Sequence, residues 1–389
     1  MAQAHRGGNL SHKINMYVFG DFFSGKTTLG LQLAKLHDEN GKPLRLLVID
    51  CESNGTSFAL DELEEEGINL DNVYTVWTQS LAEVTHYIQQ VTNGEPLHEL
   101  GPDGEELDEY VLDADGQPFV PNALFLDGAT ILKMTCQQSL LNLSRKRAKV
   151  RAKNNGLTGE DKAVAIDGAG LEYKDYNALN FSGQELILDL TASNVHWIIS
   201  AREKKETKSV KVNGSIQSVE TGKIVSDAFK GSEFNSSTVV RLFRDEDDPD
   251  VVKMQVLKDR SKTWAVGQIV ENPDLTDMQA MIDKHSKKKN VVIKNTMDQA
   301  VETEMKMYQK QAGIVDEDDS YNDDKSNVSS DIDAVRKQIK TNHSKMNPNQ
   351  RKEFSTKLKA NNIPTSLSKI EDVSVLNKVL EISVQTLEE

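Results

Sequence analysis

Residues 14–36 read INMYVFGDFFSGKTTLGLQLAKL. Ile14 to Phe19 form an apolar, β-favouring run that stops at Gly20, and an amphipathic pattern starts at Lys26 with Leu29, Leu31, Leu33 and Leu36. The order is strand, loop, helix. Between the two lies Gly20-Asp21-Phe22-Phe23-Ser24-Gly25-Lys26-Thr27, which matches G-x-x-x-x-G-K-[ST], the spacing with which a backbone wraps a phosphate. Gly20 and Gly25 keep Cβ atoms out of the way, so successive N–H groups and the helix N-terminus point at an anion. Lys26 is placed to reach β- and γ-phosphates and the Thr27 hydroxyl to ligand Mg²⁺, and Thr28 completes the nucleotide-binding candidates.

Working outward, Gly41-Lys42-Pro43 breaks the helical pattern and Leu44 to Ile49 reads as a second buried strand running into Asp50-Cys51-Glu52. Val73 to Trp77 is a third strand and Leu81 to Val91 a helix. Strand alternating with helix predicts a parallel α/β sheet whose ligands sit beyond the carboxyl ends of the strands. Asp50 and Glu52 then lie on the nucleotide side, or else cap a following turn. Ala123-Leu124-Phe125-Leu126-Asp127 is a buried strand with a terminal carboxylate; downstream of a phosphate loop, Asp127 is expected to hold Mg²⁺ directly or through water. Val195 to Ser200 is a further buried strand, and Ser200-Ala201-Arg202 brings a hydroxyl and a guanidinium to the same edge, where either could sense a γ-phosphate.

Other stretches set the organisation. Residues 1–13 are polar and read as a flexible lead-in, and residues 93–119 as an acidic surface insertion with a turn at Asp113-Ala-Asp-Gly116. From Thr130 the chain reads as helical and becomes basic at Arg145, Lys146, Arg147, Lys149, Arg151 and Lys153, before a glycine-bearing flexible stretch over 154–170. That cluster is either a solvated helix end or a polyanion contact. Tyr173 to Ala192 is helical. Lys208 to Ile224, with an Asn213-Gly214 turn, then Thr238 to Phe243, Val251 to Leu257 and Trp264 to Val270 are consecutive β segments, which predicts antiparallel strands added to one edge of the parallel sheet. The core is expected to span 14–275. A charged helix and an acidic tether occupy 276–330, and helical spacing at Asp331–Ile339, Pro348–Leu358 and Val373–Val384 predicts a small helical module over 331–389.

The 389 residues carry a formal net charge of -15, a sequence pI of about 5.1 and a mean hydropathy of -0.52, so a general polyanion-binding surface is disfavoured while a local basic patch is not. Cys51 and Cys136 are too few for a disulfide framework or a zinc site. The opening MAQAHRGGNLSHK contains no apolar leader segment, and no uninterrupted apolar run is long enough to span a bilayer. A cytoplasmic protein with reduced thiols and no membrane partner is expected.

The succession of phosphate loop, Val48-Ile49-Asp50-Cys51-Glu52, a strand ending in Asp127, Ser200-Ala201-Arg202 and terminal strands carrying Lys258-Asp259-Arg260 resembles the RecA-core ATPases. More narrowly it is similar to the bacteriophage Sak-type recombination proteins, grouped broadly with AAA-family phage ATPases. The resemblance covers roughly residues 12 to 275. It implies a RecA-like P-loop NTPase using ATP and Mg²⁺, with Glu52 polarising the attacking water and Ser200 or Arg202 in the sensor position, where RecA has a glutamine. It implies that Lys258 and Arg260 lie at a subunit boundary and reach a neighbour's γ-phosphate, as in related NTPases where a trans cation raises kcat by about 10³ or more. It also implies a homo-oligomeric ring or filament. Single-stranded DNA would be held by the loops after Asp127 and Arg202, the second being 203–235 with Lys204, Lys205, Lys208, Lys211, Lys223 and Lys230. Aromatic platforms there are few: Tyr173, Tyr176, Phe229 and Phe234. Host cytoplasm, if the chain is phage-encoded, is the expected setting, and the C-terminal helices are free for a single-strand-binding or replication partner.

Three other readings use the same loop. A nucleotide or nucleoside kinase needs an arginine-bearing lid and an acceptor pocket, and only the basic run is a candidate. A helicase or packaging motor usually carries Asp-Glu where this chain has Asp127-Gly128. A non-catalytic scaffold would use nucleotide as a structural switch.

Overall fold

The computed structural model describes residues 12–52, 55–102, 106–212, 215–245, 247–285 and 295–312, and beyond these 339, 342–343, 346, 348–361, 363 and 373–388. The chain divides into two compact units, Met1–Met297 and Asp298–Glu389. In the first, β1 (Asn15–Gly20), α1 (Lys26–Leu31), β2 (Leu46–Asp50), α2 (Thr56–Glu65), β3 (Val73–Trp77) and α3 (Leu81–Thr92) alternate as the sequence predicts. A small hairpin, β4 (His98–Leu100) with β5 (Glu106–Tyr110), precedes β6 (Ala123–Asp127), α4 (Ala129–Asn154), α5 (Gly159–Asp167) and α6 (Tyr173–Ala192). Then come β7 (His196–Val212), β8 (Ser215–Ser226), β9 (Thr238–Arg244), β10 (Val252–Asp259), β11 (Ile269–Glu271) and α7 (Gln279–His285), while α8 (Met297–Ala312) falls in the second unit but for its first residue.

The main sheet runs β11-β10-β9-β1-β7-β6-β2-β3, with β8 paired to β7. From β9 to β3 the pairing is parallel, and β10 and β11 add antiparallel strands at one edge. This is the mainly parallel α/β sheet with antiparallel extension that the strand pattern predicts. β7 separates β1 from β6, so the phosphate loop and the terminal carboxylate Asp127 face each other across one intervening strand. β1, β2 and β6 are almost wholly buried and largely apolar because both faces of the sheet are covered there. Met16 and Val18 pack on one side with Leu29 and Leu31 of α1, Leu63 of α2 and Ile282 of α7. Tyr17 and Phe19 pack on the other with Val84 and Ile88 of α3, Leu132 of α4 and Leu186 of α6. The period of two along β1 serves both cores at once.

Several expectations are corrected. The β reading of 208–224 is met, but not at the sheet edge: the strand starting near Val195 does not stop at Arg202, continues to Val212 and pairs with β8, so most of 203–235 is a two-stranded ribbon rather than the loop the resemblance implied. Alternating Lys, Thr, Ser and Val suit a pleated pair; the Asn213-Gly214 turn itself lies outside the described residues. The glycine-bearing stretch after Asn154 contains α5, because GEDKAVAID between its glycines is helix-forming. In the acidic insertion the paired strands precede the Asp113–Gly116 turn, which is closed by an isolated Leu112–Pro118 bridge, and Leu97, Val111 and Phe119 anchor the segment in the core. The last β segment forms a regular strand only over Ile269–Glu271; Gly267 and Gln268 exchange main-chain bonds with Val256 just before it, and Trp264 is buried with its N–H on Asp259 Oδ2. Leu275, Met278 and Ile282 extend the core past residue 275.

The second unit has its own apolar cluster. Ile339, Met346, Phe354, Leu358, Ile363, Leu376, Val379 and Ile382 are buried together, with helices Pro348–Ala360 and Val373–Glu388 supplying most of them. The charged run 286–289, the acidic tether 315–330 and the helix expected at 331–338 lie outside the described residues. No described helix is long and apolar enough to cross a membrane.

Candidate nucleotide-binding site

The loop after β1 turns through two left-handed residues, Phe23 at φ 53° and Gly25 at φ 83°, before α1 begins at Lys26. Its side chains tie it to itself. Ser24 Oγ donates to the Asp21 carbonyl at 2.8 Å, and Lys26 Nζ donates to that carbonyl at 2.5 Å. Among the described residues, no hydrogen bond engages the amides of Ser24, Gly25 and Lys26. An αL-containing loop with consecutive amides left for an anion is a phosphate nest at a helix N-terminus.

Asp127 is the hub. Its carboxylate is almost fully buried, and it accepts Thr27 Oγ1 at 2.7 Å on one oxygen and Ser200 Oγ on the other. Ser200 also accepts the Gly128 N–H at 2.9 Å, so its hydroxyl orients Asp127. Burial pushes the Asp127 carboxyl above the usual range; the two hydroxyls oppose that shift, and Glu52 and Asp50 add to it. Burial likewise lowers the Lys26 ammonium below its ordinary value, against the carboxylates of Glu52, Asp127, Asp21 and Glu203. Gly128 sits at φ 103°, and a Cβ there would lie 2.6 Å from Glu52 Cγ, so glycine lets the two strand ends close on each other.

Glu52 Oε1 meets Arg202 Nε at 3.0 Å, and the Arg202 amide is fixed by Thr130 Oγ1 at 2.9 Å. Asp50 is spent locally: it accepts the Glu52 N–H at 2.8 Å and the Thr56 hydroxyl, the turn-capping alternative of the sequence reading. Thus Lys26, Thr27, Glu52 and Asp127, at or just past the ends of β1, β2 and β6, converge with Ser200 and Arg202 from within β7.

Lys258 and Arg260 are elsewhere. β9 sets Thr238 beside Met16 and Leu242 beside Gly20, while β10 sets Asp259 beside Thr238. They lie level with the start of β1, about 13 Å of strand from Gly20. They are therefore not partners of their own phosphate loop. Lys258 Nζ donates to the carbonyls of Phe234 at 2.7 Å and Ser236 at 2.5 Å, and Arg260 is exposed.

The basic run is helical throughout. Arg147 pairs with Asp175 at 2.8 Å and Arg151 with Glu172 at 2.6 Å, which joins α4 to the start of α6 and removes two of the six cations from the polyanion candidate. Arg145, Lys146, Lys149 and Lys153 are exposed at helical spacing. On the ribbon, Lys204 pairs with Asp227 and Lys205 with Glu220, whereas Lys208, Lys211 and Lys223 are exposed. Phe229 is buried and cannot stack on a base, while Tyr173 and Phe234 are exposed.

A divalent cation would find oxygen donors only: the Asp127 carboxylate and the Thr27 hydroxyl. No cluster of three or more His, Cys, Asp or Glu residues fit to hold a metal exists among the described residues. That donor set suits Mg²⁺, which keeps waters and takes phosphate oxygens alongside one carboxylate. Residues that sequence reasoning passed over also shape the site: Thr130, the Glu203–Arg241 ion pair at 2.7 Å, and Arg244, which donates to the Phe23 carbonyl at 2.7 Å. No short motif marks them, since their partners are distant in sequence.

No protein-family model matches the chain, and no curated protein matches it. Among solved structures it is similar to the crystal structure of a KaiC-like protein from the hyperthermophilic archaeon Pyrococcus horikoshii OT3, at 13% identity, covering 67% of this chain and 89% of that one with a TM-score of 0.35.

Proposed function

We propose that the chain is an Mg²⁺-dependent ATPase of the P-loop class that assembles with copies of itself and binds single-stranded DNA. The observation that carries the ATPase reading is the Asp127 hub, where Thr27 from the phosphate loop and Ser200 from the intervening strand share one buried carboxylate at the mouth of an amide nest. Mg²⁺ arriving with the triphosphate would neutralise charge developing on the β- and γ-oxygens. The protein's own groups do the rest: Lys26 reaches the phosphates, Thr27 and Asp127 hold the cation, Ser200 orients Asp127, and Glu52 accepts a proton from water once its pairing with Arg202 is loosened.

Assembly follows from the resemblance: Lys258 and Arg260 lie at the opposite sheet edge from the phosphate loop, so a catalytic role for them requires a boundary with another copy. The DNA reading is supported by the exposed Arg145, Lys146, Lys149 and Lys153 and by the exposed lysines of the ribbon, a contact expected to be electrostatic and salt-sensitive. A role in phage recombination or replication follows from the resemblance alone. The test is the rate of phosphate release from ATP with and without single-stranded DNA, read alongside mass in solution. Stimulated release by an oligomer supports the proposal. Phosphate transfer to a nucleoside with no release to water would favour a kinase instead.

A further inference from the structure

The outer side of the phosphate loop is tied to the β9–β10 hairpin by a side chain of β9. Arg244, the last residue of β9, donates Nε to the Phe23 carbonyl at 2.7 Å and Nη1 to the Pro249 carbonyl at 2.6 Å. The hairpin end is itself braced, because Lys253 pairs with Asp245 and the Asp245 amide donates to the Val251 carbonyl at 3.1 Å. Val252 at the start of β10 would lie 3.5 Å from a Cβ at Gly25. Phe23 is the unusual residue of the loop: bulky, 82% exposed, and held at φ 53°, where a side chain of its size is disfavoured. Its ring meets that of Phe22 edge-on, with centroids 6.1 Å apart, a contact between two exposed side chains that does not fix a main-chain angle.

We propose that Arg244 is a positioning residue for triphosphate binding, one that holds Phe23 left-handed and thereby aims the Ser24 amide into the phosphate nest. The inference rests on the ATPase reading above. In a trans peptide the carbonyl of one residue and the N–H of the next point in opposite directions. Pinning the Phe23 carbonyl toward Arg244 therefore turns the Ser24 N–H away from the hairpin, toward the concave side of the loop. A glycine at 23 would hold this shape unaided; a phenylalanine needs the guanidinium, and one guanidinium bridging two carbonyls couples the nest to the hairpin.

The experiment is calorimetry of ATP binding in Mg²⁺ to the full chain, for the parent, Arg244→Ala, Arg244→Lys, Phe23→Gly and the double variant Phe23→Gly/Arg244→Ala, with thermal midpoints confirming that each is folded. Arg244→Ala is expected to weaken binding about tenfold, the loss of one charge-assisted hydrogen bond. Arg244→Lys falls between parent and alanine variant, because a lysine cannot bridge both carbonyls with a planar fork. In the Phe23→Gly background the arginine loss costs little, and this non-additivity is the signature of the role. Equal binding by parent and Arg244→Ala overturns the inference, and so does an equal loss in both backgrounds, which would mean that Arg244 acts through the nucleotide or the hairpin alone. Absence of binding by the parent overturns the ATPase reading, and the inference with it.

Discussion

At the carboxyl edge of the parallel strands, polar groups reach across the fold: Thr27 to Asp127, Ser200 to Asp127, Arg202 to Glu52. At the amino edge they are satisfied close to home. Asp259 accepts from Thr238 Oγ1 across one strand pair, from Ser261 and from the Trp264 N–H, and Lys258 donates to two main-chain carbonyls. Charged groups at the first edge are moved from their ordinary ionisation by burial, Asp127 upward and Lys26 downward. The amino edge buries a neutral group instead: His196, which accepts the Ile14 N–H at 3.2 Å on Nδ1 and whose Nε2 has no partner among the described residues. Within one copy of the chain, burial displaces charged groups at the first edge, while the second satisfies its polar groups locally and leaves Arg260 exposed.

The comparison breaks most sharply at Glu52. Glu52→Gln should leave ATP affinity intact and lower turnover by at least about 100-fold; turnover at the parent rate would remove the proton-accepting role and make the Arg202 pairing merely structural. Next, the amino edge should matter to hydrolysis only through a neighbour. Mixing Arg260→Ala with Lys26→Ala protein should restore partial turnover that neither has alone, and no recovery at any ratio would leave the amino edge without a catalytic task.

The two smaller effects concern stability. Burial drives the His196 imidazole from 6.5 down to about 3, so between those values the unfolded chain binds more protons than the folded one. Stability should therefore fall as pH drops from 6.5 toward 3, and His196→Asn should flatten that part of a denaturation series. An unchanged slope would mean that other groups govern the acid limb. For Asp127 the sign is reversed: its folded pKa lies above the unfolded value of 3.8, so ionising it at neutral pH costs the apo protein stability. Asp127→Asn should raise the apo melting midpoint at pH 7, or at least not lower it, while abolishing Mg²⁺-supported turnover. A large drop in midpoint would show that the hydroxyl bonds outweigh the desolvation.

Much of the site was legible because its chemistry is local in sequence. Gly20 to Thr28 is one contiguous motif, and Glu52, Asp127, Ser200 and Arg202 each end an apolar run, so the rule that parallel strands carry ligands at their carboxyl ends was enough to gather them. The ribbon was legible in part: Lys208 to Ile224 read as β around Asn213-Gly214, but the run of β7 on past Arg202 did not, because most residues from 203 on are polar and exposed and carry no apolar period. Arg147 and Arg151 were counted with the free cations because their partners, Asp175 and Glu172, lie on another helix.

The sequence by itself determined the strand–loop–helix start, the alternation that builds a parallel sheet, and the residue types at its carboxyl edge, since backbone sterics and apolar periodicity act over a few neighbouring residues. Only the tertiary structure decided that Ser200 steadies Asp127, that Arg202 holds Glu52, that Lys258 and Arg260 belong to the far edge, and that Arg244 braces Phe23. Those pairings depend on strand order and register, which bring together groups up to 221 positions apart and leave no periodic trace in the chain.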